Sequence, residues 1–140
     1  MAHLEAPAKL TLSLRITGVR ADGFHLIDAE MVTLDLADTL VVEEAAETGV
    51  SVDGPFAAGV PTDGSNLVMR ALRAAGRTAS VRVTKNVPNG GGLGGGSSDA
   101  AAVLRWAGFT DMEEASRLGA DIPFCMVGGR ARVTGIGEKV

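Results

Sequence analysis

A run of glycines followed by two serines and an aspartate is the part of the sequence best suited to chemistry. Six of the seven residues from Gly90 to Gly96 are glycine, and Ser97, Ser98 and Asp99 follow directly. Glycine has no side chain to bury and loses much backbone entropy on folding, which predicts a loop here. Serine and aspartate favour helix N-caps and the alanines at 100–102 favour helix, so we expect a helix to begin at Ser98 or Asp99. Its free N–H groups and positive dipole end would bind an anion, most commonly phosphate.

Other interpretations of the glycine run are weaker. No Gly-Lys-Ser/Thr closes the loop, so it is not a Walker P-loop. Gly90, Gly92 and Gly95 fit the dinucleotide pattern G-x-G-x-x-G, but so dense a glycine run matches that pattern by chance. A flexible linker remains an alternative, although linkers rarely lead straight into an alanine-rich helix.

Alternating and helix-like patterns predict the elements that would position this loop. Leu10, Leu12, Leu14 and Ile16 alternate with polar residues, which predicts a half-buried strand with these four on one face. Lys9 lies near its start, where most lysines are simply solvated. The remaining predicted elements are strands at 26–36, 39–44, 50–52 and 79–85, helices at 66–75, 98–106 and 110–118, and a hairpin of two short strands, Phe124 to Val127 and Ala131 to Thr134, around Gly128-Gly129.

A tight turn is predicted at Asp22-Gly23, directly before an aromatic residue and a histidine. His25 can donate or accept hydrogen bonds and could recognise the edge of a base, but an ordinary turn histidine is an equal alternative. Phe24 offers a ring for stacking.

Composition and charge exclude several classes of protein. The chain has 140 residues, 46% of them hydrophobic, and a net charge of −4, which argues against nucleic acid as a partner. No apolar run reaches the roughly 20 residues that cross a bilayer, so no membrane role is expected. Met1 to Leu10 lacks the features of a signal peptide, and the single cysteine, Cys125, cannot form an internal disulfide. We therefore expect a cytoplasmic protein in which Cys125 is a buried, inert thiol in a strand.

Several motifs, in order along nearly the whole chain, resemble those of the GHMP kinases. They are the stretch from Pro88 to Ala101, Ala6-Pro7-Ala8-Lys9-Leu10, Leu118-Gly119-Ala120-Asp121-Ile122-Pro123-Phe124 and Gly135-Ile136-Gly137-Glu138. The resemblance implies an α+β fold similar to the second domain of ribosomal protein S5, a mixed sheet covered by helices. It also implies that residues 1–140 form the N-terminal, ATP-binding domain of such a kinase, and that the C-terminal domain is absent.

The resemblance implies a reaction as well as a fold. It implies an ATP-dependent kinase that phosphorylates a hydroxyl of 4-diphosphocytidyl-2-C-methyl-D-erythritol in non-mevalonate isoprenoid biosynthesis. Asp121 would accept the hydroxyl proton and Lys9 would offset developing charge. Thr11, Phe24 and His25 would contact the substrate together with Asp121. Thr11 stands where the family has asparagine and Phe24 where it has tyrosine, so each alters a polar contact.

ATP and Mg²⁺ are the implied ligands. The expected nucleotide-binding residues are Asn66, Lys85, Pro88, Gly90, Gly91, Gly92, Leu93, Gly94, Gly95, Gly96, Ser97 and Ser98, with Ser97 a candidate Mg²⁺ ligand. Asn66 could instead be a helix N-cap, and both roles are compatible. Besides ATP and the cytidyl substrate, the implied partners are a second copy in a homodimer or a complementing C-terminal half. The alternatives are a truncated or split half that binds nucleotide without catalysis unless a partner is present, and a structural domain of ribosomal-protein type.

Overall fold

A mixed five-stranded sheet carries four helices, which confirms the expected α+β class. The computed structural model describes all of residues 1–140. In chain order the elements are β1 (Ala2–Val19), β2 (His25–Glu44), β3 (Gly49–Asp53), α1 (Leu67–Ala75), β4 (Ala79–Thr84), α2 (Gly95–Trp106), α3 (Met112–Leu118), α4 (Ile122–Val127) and β5 (Arg130–Gly135).

The long strand β2 organises the sheet. It pairs antiparallel with β1 along most of its length, and on its other side with β5 and then with β4, to which β3 is parallel. The two strands predicted at 26–36 and 39–44 are therefore one. Residues Ala37 and Asp38, at the predicted junction, remain paired with Pro7 and Ala6 of β1, so the strand continues there, although its register against β1 shifts between Pro7 and Lys9.

The core lies between the sheet and helix α2. Residues 98–104 of α2 are all buried, and the small alanines at 100–102 let the helix approach the sheet closely. Phe124, Met31 and Leu72 are among the largest buried side chains of the core. Trp106 lies at the edge of the core, with the Arg77 guanidinium 4.3 Å from its ring centroid. None of the helices has the length and hydropathy that a membrane span requires.

Helices α1 and α3 begin close to the positions predicted from the sequence, whereas the predicted hairpin after Asp121 is wrong. Asn66 and Asp111 are the N-caps of α1 and α3, and each side chain accepts a backbone N–H. Residues 124–127, expected as a strand, belong to α4, which has Pro123 in its first turn. Proline is well suited to that position because its fixed φ matches the helix and its missing N–H would have had no partner there.

A β-bulge changes which side chains share a face of β1. Leu10 pairs with Val32, while Leu14 pairs with Ala29, and the register shifts between Thr11 and Ser13. Because Val32 and Ala29 are an odd number of residues apart, Leu10 and Leu14 lie on opposite faces, and the predicted single face is wrong. Leu14 and Ile16 are also 60% and 58% exposed rather than half-buried.

The exposed residues Leu14, Ile16 and Val19, here called the apolar arm, lie at one end of β1. Exposed apolar clusters of this kind promote association. We expect the double variant Leu14→Ser, Ile16→Ser to change the free energy of unfolding by less than about 1 kcal/mol and to reduce self-association at micromolar concentration. Sedimentation and urea titration would measure both, with Met31→Ser, at a buried position of the same sheet, as the destabilising control. A wild-type chain that is monomeric throughout would contradict this expectation.

Candidate active site

Lys9 and Asp121 form an ion pair although they are far apart in the sequence. The Lys9 ammonium lies 3.0 Å from Asp121 Oδ2 and donates a hydrogen bond to Thr11 Oγ1 at 2.7 Å. Lys9 is almost fully buried, whereas the Asp121 side chain is 30% exposed. The structure thus brings together three of the residues that the resemblance implied for catalysis and substrate binding, with the carboxylate open to solvent.

The glycine loop lies against the same lysine. The Lys9 N–H donates to the carbonyl of Leu93 at 2.8 Å. Gly94 adopts a left-handed conformation (φ +67°), and a Cβ there would lie 2.9 Å from the Lys9 side chain. A side chain at Gly95 would in turn lie 3.1 Å from Lys85 Nζ and 3.3 Å from Val87. Gly94 is favoured by its positive φ and by the Lys9 side chain packed against it, whereas a Cβ at position 95 would require Lys85 and Val87 to shift by a few tenths of an ångström.

Helix α2 begins within the glycine run, so the prediction that Ser98 or Asp99 caps it is wrong. Gly94 is the N-cap, and the Ser98 N–H donates to the Gly94 carbonyl at 2.8 Å. The N–H groups at 95–97, in the first turn, have no acceptor within the helix, which is the arrangement that binds anions. Ser97 is partly accessible in this turn, whereas Ser98 is buried and its Oγ has no hydrogen-bond partner.

The rest of the loop is open. A Cβ on Gly90 or Gly92 would meet no atom within 4 Å, and both residues have positive φ. Gly91 is exposed and Pro88 is half-buried. The loop backbone is therefore accessible to a ligand from the solvent side.

Lys85 contacts carboxylates rather than the open loop. Its Nζ lies 2.5 Å from Asp38 Oδ2 and 2.9 Å from Asp99 Oδ2, and all three side chains are buried. Burial alone would lower the Lys85 pKa, but Asp99 and Asp38 outweigh it and raise the pKa. Since the ammonium already has two anionic partners, a direct bond to a nucleotide phosphate, as the resemblance implied, is not what this geometry favours.

A pocket of about 470 Å³ opens beside the loop. Its walls are mainly apolar, with Val52, Val60, Leu67 and Val83 among them, and Asn66 and Asn89 supply polar groups. A mostly apolar pocket of this size with a few polar groups suits a nucleoside. Sequence reasoning missed the segment around Val60, because a loop rich in glycine and proline shows no periodic pattern.

Asn66 and Asn89 help to shape this pocket. The Asn66 side chain accepts the Val68 N–H at 2.8 Å and donates to the Pro61 carbonyl at 2.7 Å. The Asn89 side chain donates to the Phe56 carbonyl at 2.7 Å. Asn66 is thus an N-cap that also lines the pocket, and both of its expected roles are compatible with the structure.

The turn that carries Phe24 and His25 contacts helix α3. The Phe24 N–H donates to Asp22 Oδ1 at 3.2 Å, and the Arg117 guanidinium of α3 lies 5.8 Å from the Phe24 ring centroid. His25 is exposed at the start of β2. The contacts of the turn therefore run to Arg117 and Glu113 of α3.

The stretch Gly135 to Glu138 packs against the backbone of the residue that precedes Asp121. A Cβ on Gly137 would lie 2.2 Å from the carbonyl oxygen of Ala120, the residue before Asp121. Ile136 is buried, and its N–H donates to Glu138 Oε1 at 2.9 Å. This contact gives the glycine motif a structural role that the sequence did not show.

Cys125 is buried in α4 rather than in a strand. Burial raises the pKa of its thiol to about 12, so the thiolate is scarce at neutral pH. The Arg105 guanidinium donates to the Cys125 carbonyl at 2.5 Å. The prediction of a buried, unreactive thiol agrees with this environment.

Comparisons of this chain with known proteins agree with its fold and its glycine loop. Residues 66–129 match the family model described as the GHMP kinases N terminal domain. The chain is a homologue of the GHMP kinases, which confirms the resemblance. Mevalonate kinase, at 15% identity and a TM-score of 0.52 over 99% of this chain and 51% of its own, shares the fold alone.

Within these kinases, the similarity is to 4-diphosphocytidyl-2-C-methyl-D-erythritol kinases. The chain is 44% identical to that of Dinoroseobacter shibae, covering 96% of this chain and 49% of the relative. It is 46% identical to that of Paracoccus denitrificans, covering 95% and 48%. A crystal structure of 4-(cytidine 5'-diphospho)-2C-methyl-D-erythritol kinase superposes with a TM-score of 0.71 and 38% identity, covering 99% of this chain and 53% of that one. The chain thus spans about half the length of the relatives it matches.

Proposed function

We propose that this chain binds Mg-ATP at the glycine loop and forms the N-terminal half of a kinase acting on 4-diphosphocytidyl-2-C-methyl-D-erythritol. The observation that carries the proposal is the Lys9–Asp121 pair, 3.0 Å apart, with the Lys9 stem packed on Gly94 at the start of helix α2. An anion-binding helix end, a cation and a carboxylate are thereby joined in one site. The relatives' names supply the substrate.

Phosphoryl transfer depends mainly on position and charge, and this arrangement suits both. The nucleoside would occupy the pocket of about 470 Å³, and the phosphates would contact the N–H groups at the start of α2. Lys9 would then lie beside the terminal phosphate, because its side chain crosses Gly94. A new bond would form from the acceptor oxygen to the γ-phosphorus, the proton would pass to Asp121, and ADP would leave.

Mg²⁺ would bind at this site together with ATP, rather than at a metal centre formed by protein side chains alone. No group of three His, Cys, Asp or Glu residues is placed to hold a metal. Mg²⁺ usually keeps several waters and binds substrate phosphates with few protein ligands. The Ser97 hydroxyl, in the first turn of α2, would be its protein ligand. When bound, the ion would neutralise charge on the transferred phosphoryl group.

Calorimetry with Mg-ATP tests the binding part of the proposal. We expect Gly94→Ala to weaken binding about tenfold, a loss of about 1.4 kcal/mol, because the new methyl group displaces Lys9. Gly108→Ala, at the other end of α2, is the matched control: its φ of +72° is similar to the +67° of Gly94, but no atom lies within 4 Å of a Cβ there. Equal affinity for Mg-ATP in the wild type and both variants would contradict a phosphate site at this loop.

A second candidate is nucleotide binding without turnover by residues 1–140 alone, because the relatives they match are about twice as long. Contacts from elsewhere on a substrate contribute to orienting the reacting groups, and misplacement by about 1 Å can cost about a hundredfold in rate. We therefore propose weak or undetectable turnover by this chain alone, with the apolar arm available to a second copy or a complementing half. Robust turnover of the cytidyl substrate that Asp121→Asn abolishes would instead establish the kinase.

A further inference from the structure

The glycine loop cannot be held in place by its own side chains. Glycine has none, and the positions of Gly90 and Gly92 are open enough that a Cβ there would meet no atom within 4 Å. The loop must therefore be fixed from its two ends if its backbone is to form a site before a ligand arrives. Its far end is fixed by the Lys9 N–H, which donates to the carbonyl of Leu93 at 2.8 Å.

Asp38, on strand β2, fixes the entry to the loop. Its Oδ1 accepts the N–H groups of Asn86 and Val87 at 2.7 and 2.8 Å, and the Asn86 side chain donates to the Ala37 carbonyl at 3.1 Å. Asp38 and Val87 are both 0% exposed. Hydrogen bonds to a carboxylate are stronger than those between neutral groups, and more so where water does not compete, so this contact defines where the loop begins.

The same carboxylate supports the start of helix α2. Its Oδ2 accepts from Lys85 Nζ at 2.5 Å, and Lys85 Nζ also lies 2.9 Å from Asp99 of α2. Val87 and Lys85 both pack on the first residue of the helix, since a Cβ on Gly95 would lie 3.3 Å from Val87 and 3.1 Å from Lys85 Nζ. Asp38 thus holds, through its two oxygens, both residues that contact Gly95 from below the loop.

Asp38 and Lys9 belong to neighbouring strands. Asp38 pairs with Ala6 of β1, three residues before Lys9. The entry to the loop is therefore bound to β2 and its far end to β1. The position of the N–H groups at the start of α2, relative to the Lys9 ammonium, then depends on Asp38.

We propose that Asp38 is a positioning residue of the nucleotide site, which fixes the glycine loop and the N–H groups at 95–97 without contacting the ligand. Asp38 is fully buried and is not among the residues that line the pocket beside the loop. This inference rests on the proposed nucleotide site. A simpler role for Asp38 would be that of a charge partner for Lys85 alone, and two substitutions separate the two roles.

Hydrogen exchange in the ligand-free chain tests the anchor itself. Asp38→Ala removes the acceptor of Asn86 and Val87, while Lys85 keeps its contact with Asp99 at 2.9 Å, so the ammonium retains a carboxylate. Exchange of the Asn86 and Val87 amides should become at least about tenfold faster, beyond any change shared by the amides of β4. Asp38→Asn keeps an oxygen that can accept both N–H groups, so it should restore most of the protection although it also lacks the charge.

Calorimetry with Mg-ATP tests the consequence for binding. We expect Asp38→Ala to bind Mg-ATP about tenfold more weakly than the wild type, and Asp38→Asn to recover most of this loss. Val42→Ala is the matched control. Val42 is four positions further along β2 on the same face, is 1% exposed, and pairs with Ala2 and Val81 rather than with the loop, so this variant should bind like the wild type.

The outcomes separate this inference from the proposed function. Equal losses of affinity in Asp38→Ala and Asp38→Asn would overturn it, because both lack the charge and only one lacks the acceptor. Unchanged exchange of the Asn86 and Val87 amides in Asp38→Ala, or an equal loss of affinity in Val42→Ala, would overturn it as well. Each of these results leaves the nucleotide site standing.

Two further results are decisive with the wild type alone. If Asp38→Ala does not fold, exchange of the Asn86 and Val87 amides in the ligand-free wild type should still be as slow as that of β4, and rapid exchange there would overturn the inference. A wild-type chain that binds no Mg-ATP would overturn the proposed function, and with it the role of Asp38 in binding.

Discussion

Replacing Lys85 with methionine is expected to lower the free energy of unfolding by about 3–5 kcal/mol. The methionine would fill much of the same volume, but Asp38 and Asp99 would remain buried without the ammonium that lies 2.5 and 2.9 Å from them. Removing one partner of a buried ion pair is far more costly than the pair is stabilising, because the remaining charge cannot reach water. The loss should be larger at pH 8 than at pH 6, because burial raises the pKa of Asp99 to about 8 and its carboxyl is more fully protonated at the lower pH.

Urea titration monitored by circular dichroism would measure this loss. Arg82→Met is the matched control on strand β4, which ends directly before Lys85: the Arg82 side chain is 63% exposed and its nearest carboxylate, on Asp53, is 3.9 Å away. Exposed pairs of this kind contribute about 0–1 kcal/mol. A loss below about 1 kcal/mol for Lys85→Met would show that Lys85 does not stabilise ionised, buried carboxylates at Asp38 and Asp99.

Gly137→Ala is expected to lower the free energy of unfolding by about 2–4 kcal/mol and to separate Lys9 from Asp121. The new Cβ would lie 2.2 Å from the carbonyl oxygen of Ala120, so the backbone on one side of the contact must move. The φ of +113° adds strain for any residue with a side chain. Because Asp121 follows Ala120, the movement should lengthen the 3.0 Å contact to Lys9.

Gly129→Ala is the control for this prediction, because it introduces backbone strain without steric overlap. Its φ is +85°, and no atom lies within 4 Å of a Cβ placed there. Urea titration should show a smaller loss for this control than for Gly137→Ala, and a crystal structure of each variant would give the Lys9–Asp121 distance. Equal losses, with an unchanged distance, would refute the supporting role of Gly137.

Local signals predicted much of the fold. Asn66 was recognisable as a cap because polar side chains there precede apolar residues at helical spacing. Strands β3 and β4 followed from alternation, which reflects one buried face. The short apolar stretch 124–127 was ambiguous between strand and helix, and Pro123 was the signal that could have decided for a helix.

Other features depend on contacts that spacing cannot show. The bulge between Thr11 and Ser13 inserts one residue into a regular pattern, and the alternation of leucines before and after it looks unbroken. Helix α2 begins at Gly95, earlier than the strongest helix formers, because packing against the sheet overrides the low helix propensity of glycine.

The candidate site, like the fold, was predictable from the sequence only in part. The glycine loop, Lys9 and Asp121 were identified from motifs, and the structure brings them together. The role of Lys85 was not predictable, because its partner Asp38 lies on a strand 47 positions earlier in the chain. Nor could the sequence show that Gly137 contacts Ala120, since the fold alone joins them.

The lone buried cysteine makes the native chain's internal motions measurable. Cys125 has no other thiol to compete with it, and thiol reagents react with an accessible thiolate. Modification of the Cys125 thiol therefore requires α4 to separate from the core, so the rate of modification measures how often this local separation occurs. Since Asp121 immediately precedes α4, a ligand that closes the site from the Asp121 side would slow the same reaction, and a colorimetric thiol assay could follow site closure without any measurement of turnover.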